Sequence, residues 1–234
     1  MGEGQRVLDV ACGPGTVTFL AAARVGPAGA VYGIDLSTGQ LDHARLHRAT
    51  DGWQNVIFRE MDAEALEFAG ATFDAVLCSF GIQFFPRADV FLAEVLRVLV
   101  PGGRIAVATW QRGEGVGMTG GPEVEAYLEG LGLQWAAPGR SLQQPGALET
   151  ALTAAGFDRV VITSEQQLQQ TSVKEHAQSV IHSLELRGSW AHLSEAQRLE
   201  VLEIVRRNVS GYEKNGGLHL PRVALIASGA RPSP

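Results

Sequence analysis

Short apolar segments alternate with amphipathic segments along the first half of the chain. Between residues 89 and 100, Phe91, Val95 and Val98 recur at the spacing of one helix face, which predicts an amphipathic helix. Pro101 and the two glycines after it end this helix. Apolar runs that predict strands lie at Val7–Val10, Ala30–Ile34, Val56–Arg59, Phe73–Ser79 and Arg104–Trp110. Strands that alternate with helices predict an α/β fold with a parallel sheet covered on both faces.

The second half of the chain has longer helical patterns and fewer strands. Strands are predicted at Arg159–Thr163 and Pro221–Ser228. Helices are predicted over residues 123–131, 146–155, 172–187 and 194–210. We therefore divide the chain into a sheet domain, residues 1–163 and 219–234, and a helical insertion, residues 164–218, which we expect to act as a lid.

Composition limits the classes of partner and the compartment. The 234 residues include nineteen basic and twenty-five acidic side chains, a net charge of −6, and no basic block. A nucleic-acid partner is therefore not expected. The apolar runs are too short for a membrane span, and the chain starts without a charged and then apolar signal segment. Two cysteines cannot form a disulfide framework, so we expect a cytoplasmic protein.

A glycine turn follows the first predicted strand. Gly13-Pro14-Gly15 lies between two apolar segments, where a strand breaks into a tight turn that opens a helix, and such turns hold nucleotide-like ligands. The dinucleotide fingerprint needs a third glycine, and Thr18 stands in its place. No lysine follows the turn, so the phosphate loop of nucleotide hydrolases is absent as well. The turn therefore does not favour a pyrophosphate or a triphosphate.

Two carboxylates follow the next two strands. Asp35 ends the second strand, where it can accept hydrogen bonds from both hydroxyls of a ribose. Asp62 follows the third strand and can accept from an adenine amino group, and Ala63 can offer its backbone N–H to the ring. A ribose site also fits NAD, so an NAD-type oxidoreductase stays open at this point.

Five motifs together carry a family resemblance. VLDVACGPGT, YGIDLS, MDAEAL, FDAVLCSFGIQFF and LRVLVPGGRIAVATW occur in order over residues 6–110. As a set they resemble the class I S-adenosylmethionine-dependent methyltransferases, and in particular the ubiquinone and menaquinone biosynthesis group. The resemblance implies a Rossmann-like, doubly wound sheet of seven mostly parallel strands with the last strand antiparallel and the first and fourth strands adjacent. It also implies S-adenosyl-L-methionine as cofactor and a small-molecule methyl acceptor.

The same resemblance implies roles for individual residues, and no metal. Asp9 and the glycine turn would lie against the amino-acid part of the cofactor, Asp35 would hold the ribose, and Leu36 would flank the adenine. Gln83 would lie close to the methyl group. The residues implied in cofactor binding are Asp9, Ala11, Cys12, Gly13, Gly15, Asp35, Leu36, Gln40, Asp62, Ala63, Ser79 and Phe80.

The acceptor side offers fewer candidates. Gln83 and Trp110 are expected in the acceptor pocket, since both follow strands at the ligand-binding edge. Tyr127 and Trp135 could complete an aromatic wall, with core packing as the alternative. An oxygen or carbon nucleophile of high pKa needs a general base. His176, on the apolar face of a predicted helix, is the candidate for this role, and a buried structural histidine is the alternative.

Two departures from the relatives qualify the resemblance. Many relatives carry two histidines where this chain has Gln83-Phe84, which puts a histidine role there in doubt. Relatives also carry some tens of residues before the first strand, so we expect looser cofactor retention here.

Cys12 and Cys78 would end adjacent strands, as two buried reduced thiols or, alternatively, as a metal or redox pair. A non-catalytic cofactor binder is a further alternative to an enzyme.

Overall fold

The chain forms a mixed sheet with helices on both faces. The structure, a computed structural model, describes residues 1–112, 121–133, 139–183 and 188–233. Its strands are β1 (Arg6–Val10), β2 (Ala30–Asp35), β3 (Val56–Glu60), β4 (Phe73–Ser79), β5 (Leu99–Trp110), β6 (Asp158–Thr171), β7 (Glu213–Lys214) and β8 (Gly217–Ala230). Its longer helices are α1 (Thr16–Val25), α2 (Thr38–Asp51), α3 (Ala88–Val98), α4 (Pro122–Gly130), α5 (Ala147–Ala154), α6 (Val173–Ile181) and α7 (Glu195–Val209).

The order of the strands determines where a crevice forms at the carboxyl edge of the sheet. The sheet runs β3-β2-β1-β4-β5-β8-β6, with β7 paired to β8. β1 to β5 are parallel to one another, and β8 is antiparallel to both β5 and β6. The seven-stranded order with β1 beside β4 and the antiparallel last strand is confirmed, and the short β7 is an addition. Because the order reverses between β1 and β4, a crevice opens beyond their carboxyl ends.

Each face of the sheet has its own apolar core. On one face, Val7 of β1 packs with Val25 of α1 and Leu41 of α2. On the other face, Phe91 of α3 and Leu148 of α5 lie in a cluster with residues of β1, β4 and β5. Apolar side chains on both faces of a parallel sheet produce the nearly continuous hydrophobic strands seen in the sequence.

The strands β6 and β8 are longer than the sequence predicted. We predicted Arg159–Thr163 and Pro221–Ser228, and the ladder between them instead reaches Thr171 and Leu218. The residues after Ser164 are polar and show no strand pattern, so the sequence does not predict this extension. Their backbone nevertheless pairs with β8, since backbone pairing does not depend on side-chain polarity. The two strands continue as a ribbon that leads to α6 and α7.

The start of β5 is also earlier than predicted. The helix α3 ends at Val98, and pairing with β4 begins at Leu99 opposite Phe73. The helix was expected to continue to Val100. Pro101 disfavours helical backbone at the residue before it, which is why the chain becomes extended there.

A separate helical cluster lies beyond the sheet. Val124 of α4, Val180 of α6, and Val201 and Val205 of α7 pack against one another. Complete capping boxes begin α6 and α7, at Ser172 and Ser194, and they fix where these helices start. Among the helices of the described residues, none has the length and apolar character needed to cross a membrane.

Candidate active site

The turn after β1 is built from residues in left-handed backbone conformations. Ala11, Gly13 and Gly15 have φ values of 53°, 54° and 90°. A Cβ at Gly15 would lie 2.8 Å from Phe19 and 2.9 Å from Phe58, so only glycine fits there. Ala11 has a side chain and therefore carries strain of about 1–3 kcal/mol. The turn holds the chain in one shape immediately before α1.

Asp9 lies under this turn with only one oxygen engaged. It is 1% exposed, and Thr18 Oγ1 donates a hydrogen bond of 2.6 Å to its Oδ2. Its Oδ1 is buried and has no partner among the described residues. Burial raises the pKa of Asp9 to about 7, with the negative charge of Asp35 adding to this and the Thr18 hydrogen bonds opposing it. Thr18 therefore occupies the place of a third glycine because its hydroxyl partners Asp9.

Asp35 is drawn to the same turn. Its Oδ2 accepts a hydrogen bond of 2.8 Å from the Gly13 N–H. Its Oδ1 accepts one of 2.8 Å from the Ser37 N–H, just before α2. The sequence placed Asp35 at the sheet edge beside the turn, and the structure shows that one carboxylate spans the turn and the start of α2.

The residues after β3 lie beside the end of β2. The Met61 N–H donates to the Asp35 backbone carbonyl at 3.2 Å. The next residue, Asp62, is exposed, and its Oδ1 accepts from the Glu64 N–H at 2.8 Å. Ala63 is buried. The carboxylates of Asp35 and Asp62 thus stand at neighbouring strand ends.

Leu36 and Gln40 follow the end of β2. Leu36 is 66% exposed, so its apolar side chain is accessible beside the end of β2. Gln40 is exposed on the first turn of α2, where its N–H donates to Ser37 Oγ at 3.4 Å.

The end of β4 touches the end of β1. A Cβ placed on Gly81 would lie 2.5 Å from the Cβ of Ala11, so the two strand ends are in direct contact. Ser79 is half-buried at the end of β4, and Phe80 after it is left-handed, with φ of 57°. The sequence offers no signal for the left-handed backbone of these two non-glycine residues, Ala11 and Phe80.

Two cysteines lie beneath the crevice. Cys12 and Cys78 are free and buried. Burial raises the pKa of both thiols, that of Cys78 to about 12, so both are neutral. In the part of the chain that the structure describes, no three metal-ligating side chains come together.

The side-chain oxygen of Gln83 accepts hydrogen bonds from within the protein. It is 4% exposed, and its Oε1 accepts from Thr109 Oγ1 at 2.8 Å and from Gln143 Nε2 at 3.2 Å. It thus ties the short 3-10 helix Ile82–Phe84 to β5 and to the 3-10 helix Arg140–Gln143. The carboxamide oxygen of this predicted pocket residue is engaged by the protein itself.

The Trp110 ring contacts both Phe80, which follows β4, and Arg222 of β8. Its ring stacks on Phe80, with centroids 4.5 Å apart and an interplanar angle of 23°. The Arg222 guanidinium carbon lies 5.3 Å from the same ring. The sequence placed Phe80 and Trp110 at the same edge but did not identify Arg222, whose one available signal is a charge inside an otherwise apolar strand.

His176 points inward, as its position on the apolar helix face predicted. It is 1% exposed, and neither ring nitrogen has a hydrogen-bond partner in the described residues. Burial and the positive charge of Arg222 lower its pKa to about 4. The imidazole is therefore neutral at physiological pH and a poor proton acceptor.

The two other predicted aromatic residues do not line this crevice in the described residues. Tyr127 packs against the helical cluster of α4, α6 and α7, and Trp135 is outside the described residues. Two further histidines lie in the second half of the chain: His182 is exposed, with Nδ1 2.8 Å from the Gln178 carbonyl oxygen, and His219 lies within β8.

One buried charge near the site was not found in the sequence. Glu125 of α4 is 8% exposed and forms ion pairs with Arg112, just after β5, and with Arg140. These pairs join α4 to the carboxyl edge of the sheet. Nothing in the local sequence separates this glutamate from the solvated acidic residues of the same helix.

Comparison with known proteins follows the motif region closely. Residues 7–103 match the methyltransferase domain family. The aklanonic acid methyltransferase DauC of Streptomyces sp. (strain C5) is 42% identical over 103 residues, or 44% of this chain and 47% of that protein. The demethylmenaquinone methyltransferase of Lactococcus lactis subsp. lactis is 37% identical over 102 residues, or 44% of this chain and 40% of that protein. The match spans less than half the length of these curated relatives.

A solved structure resembles the whole chain. The YcgJ protein of Bacillus subtilis superposes with a TM-score of 0.66 at 17% identity, covering 100% of this chain and 94% of that chain. At this identity the likeness shows the fold alone. The sequence matches over residues 7–103 confirm the resemblance that the five motifs carry.

Proposed function

We propose that this chain, whose residues 7–103 form a class I S-adenosylmethionine-dependent methyltransferase domain, transfers a methyl group from S-adenosyl-L-methionine to a small-molecule acceptor. Two relatives are named for such acceptors, aklanonic acid and demethylmenaquinone. Thr18 at the place of the third glycine, fully buried on Asp9, gives no support to an NAD-type oxidoreductase.

The observation that carries the proposal is the convergence of Asp9 and Asp35 on the glycine turn. The buried Oδ1 of Asp9 lacks a partner, and a cationic ammonium beside it would relieve its desolvation. Asp35 already binds the Gly13 N–H and stands where a ribose would be held. The exposed Leu36 and Asp62 beside it suit an adenine ring. The residues present therefore fit the cofactor.

The protein's part in the reaction is positioning. S-adenosylmethionine supplies an electrophilic methyl group on a positively charged sulfur, so the donor is already activated. Ser79 and Phe80 at the end of β4 lie on the path from the glycine turn to Trp110. These residues align the acceptor and exclude water, which together supply much of the acceleration of such a reaction.

We assign the helices α6 and α7, within residues 164–218, to a lid over the acceptor. The ribbon of β6 and β8 leads into these helices, and His176 of α6 is buried. The partners in this proposal are the cofactor and the small acceptor, with no role for nucleic acid. The two free, buried cysteines fit a reducing compartment such as the cytoplasm.

Binding and turnover test the proposal separately. Isothermal titration calorimetry should detect S-adenosylmethionine and S-adenosylhomocysteine, and Asp35→Ala should lower both affinities by at least about 100-fold, since it removes a group bound to the turn. Asp42→Ala, in an exposed ion pair of α2, is the matched control and should bind as the wild type does. Undiminished binding by Asp35→Ala contradicts the ribose assignment.

Turnover of methyl-labelled cofactor with a panel of quinols and aromatic acids then tests catalysis. Label in at least one acceptor is the expected result. Cofactor binding without transfer to any acceptor would instead support the non-catalytic binder.

A further inference from the structure

Three polar side chains near the sheet edge have buried atoms without hydrogen-bond partners. They are Arg222 at Nε, Gln169 at Oε1 and His176 at both ring nitrogens, and none is satisfied by a described residue. Buried polar atoms are paired in the great majority of cases. A cluster of unpaired ones is therefore better explained by a ligand than by packing.

Two of the three share one face of the β6–β8 ribbon. Gln169 lies opposite Leu220, and Arg222 lies opposite Gln167. Residues directly opposite in an antiparallel pair share a face, as do residues two apart along one strand. Gln169 and Arg222 therefore project to the same side.

The helix α6 covers that side. Val173, its first residue, packs against the cluster that contains Leu218 and Leu220, which are on the same face of β8 as Arg222. His176 stands about one turn further along the helix. The positive charge of Arg222 contributes to the lowered pKa of His176, which agrees with the position of α6 over the face that carries Arg222.

The cluster connects with the reacting edge of the sheet. The Arg222 guanidinium lies over Trp110, and Trp110 stacks on Phe80. The residue after Phe80 contacts Ala11 of the glycine turn. A continuous series of contacts thus runs from the cofactor turn to Arg222.

The chemistry of these groups selects an anion. Burial lowers the pKa of Arg222, and no hydrogen bond or charge of a described residue counteracts this. Arg222 is partly buried, and a partly buried cation without a counter-charge is costly; a guanidinium prefers the fork of a carboxylate or another planar oxyanion. The neutral His176 has one N–H donor and one acceptor nitrogen for the same ligand.

We propose that Arg222, oriented by Trp110 and flanked by His176 and Gln169, binds an ionised oxygen of the methyl acceptor. The acceptor class is a small planar molecule with a carboxylate or an acidic phenol or enol. This inference rests on the proposed methyl transfer for the identity of the ligand. It assigns His176 to hydrogen bonding, in place of the base suggested by its sequence position.

The test is binding of matched probes in the presence of S-adenosylhomocysteine. The probes are 1-naphthoate, the neutral isostere 1-naphthamide, and 2,4-dinitro-1-naphthol, which is ionised at neutral pH. Calorimetry of the wild type should show at least one of the two anions binding 10-fold or more tightly than the amide. The preferred anion identifies a carboxylate or a phenolate as the group recognised.

Variants of two arginines show where the preference arises. Arg222→Gln should bring the anions to within 2-fold of the amide. Arg59→Gln is the matched control, since Arg59 also lies over an aromatic ring, 5.7 Å from that of Tyr32, but on β3, and it should keep the full preference. If Arg222→Gln does not fold, Arg222→Lys, which keeps the charge but loses the planar fork, should weaken the anions several-fold and leave the amide unchanged.

Three results would overturn the proposal. They are equal binding of anions and amide by the wild type, no binding of either anion at millimolar concentration, and an anion preference that survives in Arg222→Gln. Binding of S-adenosylhomocysteine alone is measured first. Its absence counts against the proposed function, whereas its presence without anion preference counts only against the role of Arg222.

Discussion

Asp9 combines burial with an unpartnered carboxyl oxygen, at a cost to the stability of the fold. Its carboxyl is buried, one oxygen is bound to Thr18, and the other has no partner among the described residues. Its pKa is raised from 3.8 to about 7, chiefly by burial. Because the raised value lies above that of the unfolded chain, its contribution to stability is full below pH 3.8 and is lost as the pH rises through about 7.

Asp9→Asn should therefore stabilise the protein in a pH-dependent way. The amide cannot ionise, so the variant escapes the cost of a buried charge. Its free energy of unfolding should exceed that of the wild type by an amount that grows by about 2 kcal/mol between pH 5.5 and pH 8. Urea unfolding at several pH values measures this.

Asp42→Asn is the control for the Asp9 prediction. Asp42 is 72% exposed in a surface ion pair, and its difference from the wild type should stay within about 0.5 kcal/mol at every pH. A difference between Asp9→Asn and the wild type that does not change with pH would show that Asp9 does not titrate in this range.

At the scale of elements, the sequence predicts what regular patterns determine. The parallel strands β1 to β5 follow from apolar runs, and their carboxyl ends bring Asp35 and Asp62 to one edge. The β6 extension escapes prediction, since its polar residues carry no strand pattern and only pairing with β8 reveals it. Arg222 and Glu125 also escape, because their partners come from elements distant in sequence.

The contact between the ends of β1 and β4 predicts the effect of replacing Gly81. A methyl group on Gly81 would meet the Cβ of Ala11 at 2.5 Å, so Gly81→Ala must push the two strand ends apart. We expect a loss of stability of about 1–3 kcal/mol together with weaker binding of S-adenosylhomocysteine. Thermal unfolding and calorimetry measure the two effects.

Gly39→Ala separates this crowding from the general effect of replacing glycine. Gly39 lies in α2 with nothing within 4 Å of a new Cβ. The variant should gain about 0.5–1 kcal/mol through its better helix propensity. A Gly81→Ala protein as stable as the wild type would mean that the strand ends can separate freely.

At the scale of the whole molecule, the sheet domain and the helical cluster are two parts with apolar cores of their own. The sheet with its covering helices holds the glycine turn, and the cluster of α4, α6 and α7 has a core of its own. The β6–β8 ribbon joins them by backbone, and Glu125 joins them by charge through Arg112 and Arg140. The cofactor side can therefore remain folded when the helical side is loosened.

Glu125→Gln tests this division of the molecule. The change leaves two arginines close together without their carboxylate, which should cost about 2–4 kcal/mol because the glutamate is largely buried. Amide hydrogen exchange should become faster in α4 and remain slow in β1, and S-adenosylhomocysteine should bind within about 3-fold of the wild type, a change of less than 1 kcal/mol.

Glu129→Gln changes the same charge on the exposed side of α4 and should leave hydrogen exchange as it is in the wild type. Faster exchange in β1 of the Glu125 variant would show that the two cores unfold as one unit. The Gln143 carbonyl oxygen accepts from the Arg112 N–H at 2.9 Å, and the Gln143 side chain donates to Gln83. Arg112 and Arg140 are therefore held near Gln83. For this reason a loosened α4 should disturb the acceptor side first. Loss of methyl transfer with cofactor binding intact is then the signature that the helical cluster completes the acceptor pocket and contributes little to holding the cofactor.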